Sequence, residues 1–170
     1  MNDLDVGLLL ARLSGLAMAA HGAQKLFGWF GGHGVTGTGV FFEKLGFRPG
    51  RLFAFAAGAG ETAGGLLVFL GLAGALGPAL VVLVMVVAAL SVHVKNGFFQ
   101  SSSGWEMNML YGAVALALGY VGPGSLSLDS ALGLDVLHAP RQVTWSFLAA
   151  VVLALLNLAA RRKIPAPTGR

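Results

Sequence analysis

Residues 52–73 read LFAFAAGAGETAGGLLVFLGLA, an apolar run that contains a single charged residue, Glu61. A run of this length and composition predicts a helix that spans a membrane, because about 20 apolar residues cross the hydrocarbon core of a bilayer. Gly60 and Gly64 have the small-xxx-small spacing at which two helix backbones approach closely. We therefore expect Glu61 to face another helix and not lipid.

Four further apolar runs accompany this one, at residues 4–27, 75–93, 105–121 and 143–160. The 170-residue chain is 56% hydrophobic and 11% charged, with a mean hydropathy of +0.78, whereas about 25% of the residues of a soluble domain are charged. Continuous apolar runs favour spanning helices over a barrel, whose strands alternate apolar and polar residues. The predicted fold class is all-α, a bundle of five transmembrane helices.

The basic residues predict how the bundle is oriented, because Lys and Arg concentrate in cytoplasmic loops. With the N-terminus outside, the outer loops hold only Arg141. The inner loops and tail then hold Lys44, Arg48, Arg51, Lys95, Arg161, Arg162, Lys163 and Arg170. The predicted orientation is N-out and C-in. The predicted domains are a four-helix membrane domain with an outer cap loop at 1–142, an additional spanning helix at 143–160 and a basic cytoplasmic tail at 161–170.

Charge and cysteine content limit the classes of partner and cofactor. The net charge of +4 is a topology signal here and predicts no nucleic-acid partner, because the basic residues gather at segment ends. The absence of cysteine excludes disulfides and Cys-ligated iron–sulfur clusters. No intrinsic cofactor is predicted. Electron chemistry would need a borrowed cofactor, a quinone or a partner subunit.

Three connecting regions carry specific expectations. The glycine-rich residues 28–50 predict a flexible or re-entrant loop, and Gly77-Pro78 predicts a tight turn between the second and third helices. Residues 122–142 predict an ordered outer cap. His33 and His138 are expected to be solvated surface histidines.

Six of the ionisable residues within or at the ends of the apolar runs are candidates for a site: Arg12, His21, Lys25, Glu61, His93 and Glu106. Charge at membrane depth is energetically expensive, so it is rarely retained without a partner or a function. At ~1.5 Å per helical residue, Glu61 is expected near mid-membrane and His21, Lys25, His93 and Glu106 near the inner side. Arg12 lies nine residues before His21, on the opposite side of an ideal helix. Either the first helix bends, or Arg12 has a separate partner, for which Glu61 is one candidate.

The residues leave four interpretations open. In a structural interpretation, Arg12 and Lys25 neutralise Glu61 and Glu106 and specify which helices pair. The second is a proton or quinone site, since histidine and a buried carboxylate can exchange protons near neutral pH. The others are small-solute transport and a metal site built from His21, His93, Glu61 and Glu106, for which no ligand-spacing motif is present. The candidate catalytic residues are Glu61, His21 and Glu106, and the candidate cofactor-binding residues are Arg12, Lys25 and His93.

An ordered series of residues resembles the DoxX family over residues 8–129. The series is Arg12, His21-Gly22-x-x-Lys25-Leu26, Phe42, Glu61-x-x-Gly64-Gly65, His93, Gly97-Phe98, Glu106, Gly122-Pro123-Gly124 and Ser127-Leu128-Asp129. DoxX-like proteins are small bacterial and archaeal membrane proteins, usually with four helices. One relative is a subunit of a thiosulfate:quinone oxidoreductase, and another acts with a superoxide dismutase and a sulfurtransferase. The predicted helix at 143–160 departs from that pattern.

The resemblance implies a multi-pass protein of a bacterial or archaeal cytoplasmic membrane, with a function in membrane redox systems. The leading hypothesis is a subunit of a quinone-linked respiratory or sulfur/oxidative-stress redox assembly. The alternatives are a non-catalytic accessory or scaffold subunit and a small-solute transporter. The expected partners are the lipid bilayer, other membrane or peripheral redox subunits and further copies of the chain in a homo-oligomer.

Overall fold

The computed structural model describes residues 2–162 of the chain. Within that range the secondary structure is helical, with no β-strand. The α-helices are α1 (Asp3–Arg12), α2 (Ser14–Phe27), α3 (Gly34–Lys44), α4 (Gly50–Leu70), α5 (Leu76–Ala88), α6 (Glu106–Val121), α7 (Leu128–Ala131) and α8 (Pro140–Ala159). The predicted all-α class is confirmed. The predicted tail residues Lys163 and Arg170 lie outside the described residues.

Four helical segments are long and apolar enough to cross a membrane, which makes the chain a multi-pass membrane protein. They are Asp3–Phe27, Gly50–Leu70, Leu76–Asn96 and Pro140–Ala159. The remaining predicted span, the fourth run at residues 105–121, forms α6, which has 16 residues. At ~1.5 Å per residue, α6 is ~24 Å long and therefore shorter than the hydrocarbon core of a bilayer, which is ~30 Å thick.

Glycines bring α4 into close contact with its neighbours. A Cβ atom on Gly65 of α4 would collide with the Gly15 carbonyl of α2, and one on Gly22 would lie 2.6 Å from the Gly58 carbonyl. On the other side of α4, a Cβ on Gly64 would lie 2.9 Å from Leu80 of α5. Small residues thus let three helix backbones approach one another, as the spacing around Glu61 predicts.

Two predictions about the connections are wrong. The flexible-loop prediction for residues 28–50 is wrong, because Gly34–Lys44 is a helix whose Gly39 packs against the start of α4 at Gly50. The re-entrant alternative stays a prediction. Gly39 serves close packing, since a Cβ atom on it would lie 2.9 Å from Arg51 N. Gly77-Pro78 lies in the first turn of α5, where a helix tolerates proline.

The turn between α4 and α5 lies at residues 71–75 instead. Gly71, Ala73 and Gly74 adopt left-handed φ values of +61°, +65° and +61°. The carboxylate of Asp129 stabilises this turn, since it accepts hydrogen bonds from Ala73 N at 2.9 Å and Gly74 N at 2.7 Å. Asp129 lies in α7, so the outer cap is ordered, as expected.

His138 packs against the same carboxylate. Its Nε2 lies 2.9 Å from Asp129 Oδ2, and its side chain is 17% exposed. The expectation that His138 is a solvated surface residue is therefore wrong, because the histidine completes the partner set of a fully buried carboxylate. His33 is exposed, as expected.

Arg12 is buried at this end of the bundle and is bonded to backbone carbonyls. Its Nε and Nη2 donate to Phe69 O at 3.0 and 2.6 Å, and Nε also donates to Val68 O at 3.3 Å. Its Nη1 donates to Pro123 O at 3.2 Å and Leu126 O at 3.0 Å. The suggested pairing of Arg12 with Glu61 is wrong, because the guanidinium supplies donors to the carbonyls at the end of α4 and in the outer cap.

The first span is interrupted at Leu13, between α1 and α2, where the backbone keeps helical φ and ψ values. Leu13 connects the two helices, and Ser14 Oγ donates to Ala11 O at 2.7 Å. A side-chain bond to a preceding carbonyl commonly bends a helix. Of the two alternatives for Arg12, the separate partner is the one confirmed, since its guanidinium bonds to backbone carbonyls.

The loops lie at two opposite ends of the bundle, and they divide between these ends into the same two groups as the basic residues predict. One end holds the N-terminus, the residue 71–75 turn and the cap, joined by the bond from Ser125 N to Asp5 Oδ1 at 2.9 Å. The other end holds residues 28–50, residues 94–105 and the C-terminal end of α8. The identity of the cytoplasmic end stays a prediction from the basic residues.

Replacing Gly15 by Ala should destabilise the bundle by about 1–3 kcal/mol, because the added methyl group meets the backbone of α4. Gly7 belongs to the same span, and a Cβ there meets nothing within 4 Å. Gly7→Ala is thus the matched control and should be neutral or slightly stabilising. Thermal unfolding in detergent measures both, and equal midpoints for the two variants would contradict the proposed helix contact.

Arg12→Ala should lower the free energy of unfolding by at least about 3 kcal/mol, because several buried carbonyls lose a charged donor at once. Arg12→Lys should recover part of that loss, since an ammonium group cannot reach both α4 and the cap. The exposed Arg141 provides the control variant Arg141→Ala. Denaturant unfolding of all three measures the effect, and an Arg12→Ala variant as stable as Arg141→Ala would refute this role.

Candidate functional site

An ion pair between α2 and α4 lies at the centre of the candidate site. Lys25 Nζ is 2.5 Å from Glu61 Oε2, and Glu61 is 3% exposed while the Lys25 side chain is 26% exposed. Glu61 lies 11 residues after the start of α4 at Gly50 and nine before its end. The expectation that Glu61 faces protein is confirmed, and so is the meeting of ionisable side chains from separate helices.

The local sequence explains how the two side chains meet. Gly58 lies one turn before Glu61, and a Cβ atom on it would lie 3.1 Å from Lys25 Cβ and 2.8 Å from Leu26 Cγ. The missing side chain lets the last turn of α2 lie directly on α4. Lys25 is long enough to reach Glu61 from that position.

A cavity of about 550 Å³ opens on one side of the ion pair, between α3, α4 and α5. We call it the aromatic cavity. Its wall is mainly apolar, and Lys25, Glu61 and His93 provide its ionisable groups. Its aromatic residues are Phe41, Phe42, Phe47 and Phe53.

A second cavity, of about 380 Å³, lies on the other side of the pair between α2, α5 and α6. We call it the polar cavity because its lining is more polar than that of the aromatic cavity, although most of its wall is apolar as well. It shares Lys25, Glu61, Ala88 and His93 with the aromatic cavity. Its remaining polar residues are His21, Gln100, Asn108 and Tyr111. The ion pair and His93 therefore form the wall between two cavities of different polarity.

A π-helical turn at Ala89–His93 follows α5 and shapes this shared wall. It places Ser91, Val92 and His93 against the aromatic cavity. Ser91 Oγ donates to Val87 O at 2.6 Å, which satisfies its hydroxyl within the helix. Single π turns inside helices frequently occur at functional sites. Apolar periodicity predicts a straight helix here, so this feature was missed.

Hydrogen bonds set the tautomers of both histidines of the site. His93 Nδ1 lies 2.8 Å from Ser103 O, and a carbonyl only accepts, so Nδ1 carries the proton. His21 Nδ1 lies 3.0 Å from Gln24 Oε1, while Gln24 Nε2 donates to Phe30 O. The second bond orients the amide so that His21 also donates from Nδ1. Nε2 is then the ring nitrogen with a free lone pair in each neutral histidine.

The end of α8 closes one side of the aromatic cavity. Arg161 Nε donates to Leu45 O at 2.8 Å, and its guanidinium carbon lies 5.4 Å from the centre of the Phe47 ring. Arg162 N donates to Gly46 O at 2.8 Å. Asn157 of α8 lines the cavity beside them. The predicted additional helix thus contributes to the same cavity as α3.

Two candidate residues lie outside both cavities. Glu106 begins α6 and accepts a hydrogen bond from Gln100 N at 2.8 Å, so it holds the loop before that helix. Arg12 is at the opposite end of the bundle. Among the side chains that the structure describes, which exclude that of Asp135, no three from His, Asp or Glu are grouped closely enough to hold a metal ion. The geometry therefore gives the metal-site interpretation no support.

Sequence reasoning missed several residues of the cavities, including Asn108 and Tyr111. These two residues are three apart in α6 and share one face of it, so helical periodicity could have identified them. Tyr111 also lies at a ring-centroid distance of 6.4 Å from His21, edge to face. The four phenylalanines come from two elements and a loop, and no sequence spacing connects them.

Comparison with known proteins assigns the family. The family model described as DoxX matches residues 7–94, just over half of the chain. The chain belongs to the DoxX family. The match includes Lys25, Glu61 and His93 and ends before α6. The resemblance seen in the sequence is therefore confirmed.

A curated relative of the chain is the Bacillus subtilis (strain 168) protein named "Putative oxidoreductase CatD". The two are 30% identical over 128 residues, which is 75% of this chain and 87% of the relative. No solved structure matches this chain.

Removing one member of the Lys25–Glu61 pair should destabilise the bundle more than removing both. Lys25→Met should lower the free energy of unfolding by about 1–3 kcal/mol, less than for a fully buried pair because Lys25 is partly exposed. The double variant Lys25→Met/Glu61→Gln should regain most of that loss. A double-mutant cycle measures the coupling, and strictly additive effects would contradict a direct interaction.

Proposed function

We propose that this DoxX-family protein is the membrane subunit of a quinone-linked redox assembly, of the respiratory or the sulfur and oxidative-stress type. The observation that carries the proposal is the aromatic cavity of about 550 Å³ that ends at the Lys25–Glu61 pair. The name of the Bacillus subtilis relative, "Putative oxidoreductase CatD", favours the same class of function. A bacterial or archaeal cytoplasmic membrane is the proposed location.

The residues of the cavity suit a quinone headgroup. Its volume lies within the roughly 300–1,000 Å³ of typical small-molecule sites. Phenylalanine faces can stack on a planar ring, and an apolar wall accepts an isoprenoid tail. Lys25 Nζ is the donor that we propose for a quinone oxygen. A quinone supplies two-electron, two-proton redox chemistry when it is bound.

Each residue of the shared wall has a proposed role. Glu61 exchanges protons with the bound ring, and Lys25 compensates its charge when it is ionised. His93 Nε2 can accept and return a proton, because its Nδ1 is held by the Ser103 carbonyl. His21 has the same proposed role of accepting and returning a proton, on the side of the polar cavity. Arg12 and Glu106 have no contact role in this proposal because they lie outside both cavities.

The electrons require a partner. The chain has no cysteine and so cannot ligate an iron–sulfur cluster through thiolates. We propose that a separate subunit carrying a redox centre delivers them to the cavity from the end where residues 28–50 and 94–105 lie. The inner-facing assignment of that end follows from its basic residues.

A photoreactive azidoquinone with a short tail should label the walls of the aromatic cavity. Peptide mapping is expected to find adducts within residues 41–53 and 80–92, and a non-photoreactive quinone of equal tail length should compete. Ala57→Phe should reduce the labelling about tenfold, equivalent to ~1.4 kcal/mol of binding free energy, because it fills the cavity. Ala63→Phe adds the same volume on the exposed face of α4 and is the matched control.

Two results would reject the quinone site. One is labelling spread over the exposed face of α8 without competition, and the other is equal labelling of the Ala57→Phe and Ala63→Phe variants. Either result would favour the accessory-subunit alternative, in which the ion pair serves packing alone. Competition by a small polar solute but not by quinones would favour the transporter alternative.

A further inference from the structure

We propose that the polar cavity is a water-filled inlet through which protons reach Glu61, and that the Lys25–Glu61 pair separates it from the aromatic cavity. The use of these protons in quinone chemistry rests on the proposed function. The water-filled inlet itself does not, since it follows from the geometry of the second cavity alone.

The polar cavity has the size and the lining that ordered water requires. Its volume of about 380 Å³ is room for about a dozen water molecules at ~30 Å³ each. Water occupies a protein cavity when polar partners are present, and an apolar one stays dry. The partners here are His21, Lys25, Glu61, His93, Gln100, Asn108 and Tyr111. The aromatic cavity has a mainly apolar wall and is therefore the drier of the two.

The polar cavity also reaches the end of the bundle. Gln100 lies in the loop between α5 and α6 and is exposed, and Met107 in the first turn of α6 is 40% exposed. Both line the cavity. Glu106 holds this loop in place through Gln100 N. Water can therefore enter beside the first turn of α6 without crossing the apolar part of the bundle.

The hydrogen bonds at Glu61 leave it able to receive a proton from that side. Of the two carboxyl oxygens of Glu61, only Oε2 accepts a hydrogen bond from the side chains that the structure describes, and the donor is Lys25. Oε1 is therefore available to water. The other titratable groups that line the cavity are His21, Lys25, His93 and Tyr111. The free Nε2 of His93 can take a proton from water and release it at the shared wall, with no net change in the histidine.

The cysteine-free chain makes the inlet directly testable. Asn108→Cys places a thiol in the polar cavity alone, and Ala57→Cys places one in the aromatic cavity alone. A charged, membrane-impermeant thiosulfonate should modify Asn108→Cys at least about 10-fold faster, because a thiol reacts as the thiolate and apolar surroundings disfavour that form. An apolar maleimide should modify both variants. Met107→Cys is the second reporter if Asn108→Cys does not fold.

A short-tailed quinone added before labelling separates this proposal from the previous one. It should protect Ala57→Cys from the maleimide and leave the rate of Asn108→Cys with the thiosulfonate unchanged. If the quinone protects neither residue, the quinone site is overturned. A fast reaction of Asn108→Cys with the thiosulfonate would still support the inlet. A slow reaction at both Asn108→Cys and Met107→Cys would overturn the inlet. Equal protection of Asn108→Cys and Ala57→Cys would show that the two cavities are continuous and overturn the separation.

Discussion

A carboxylate near the middle of a membrane-spanning helix needs compensation, and the Lys25–Glu61 pair provides it. Moving a charge from water into an apolar interior costs several kcal/mol or more. Glu61 can therefore be ionised inside the bundle only with a partner. The partner reaches it because Gly58 and the glycines around it let α2 lie against α4. The glycines around Glu61 thus allow the close helix contact through which Lys25 compensates its charge.

The same pair divides the interior of the bundle. The aromatic cavity and the polar cavity meet at Lys25, Glu61 and His93, so a group bound in one can exchange protons with water in the other. Arg12 and Asp129 stabilise the opposite end through backbone partners and take no part in this division. Arg12 and Asp129 thus organise one end of the fold, while the Lys25–Glu61 pair both joins α2 to α4 and, in the proposed function, takes part in proton exchange.

The sequence predicted the bundle and the environment of Glu61 because both follow from strong constraints. Hydrocarbon-length apolar runs allow few structures other than helices, and a charge between closely spaced glycines has to face protein. Residues 28–50 were predicted wrongly because glycine has two uses, turns and close helix packing, and composition alone does not distinguish them. Gly77-Pro78 was misplaced for a similar reason, since proline marks both turns and the first turn of a helix.

The partners of the other charges could not be predicted from spacing. Arg12 satisfies backbone carbonyls of α4 and the cap, and such acceptors are present at every residue and leave no sequence signal. His138 meets Asp129 only because the cap folds over the residue 71–75 turn. The π turn at Ala89–His93 and the four-phenylalanine wall depend likewise on tertiary packing, which overrides local periodicity.

The most direct test of the account is the distance between the Lys25 ammonium nitrogen and the Glu61 carboxyl carbon in a lipid bilayer. Solid-state NMR dipolar recoupling between ¹⁵N-labelled lysine and ¹³C-labelled glutamate measures it, with Lys25→Arg as the assignment control. The account predicts strong dipolar coupling at a separation of less than about 4 Å, lost in the control. A folded protein with no coupling between these two nuclei would contradict it.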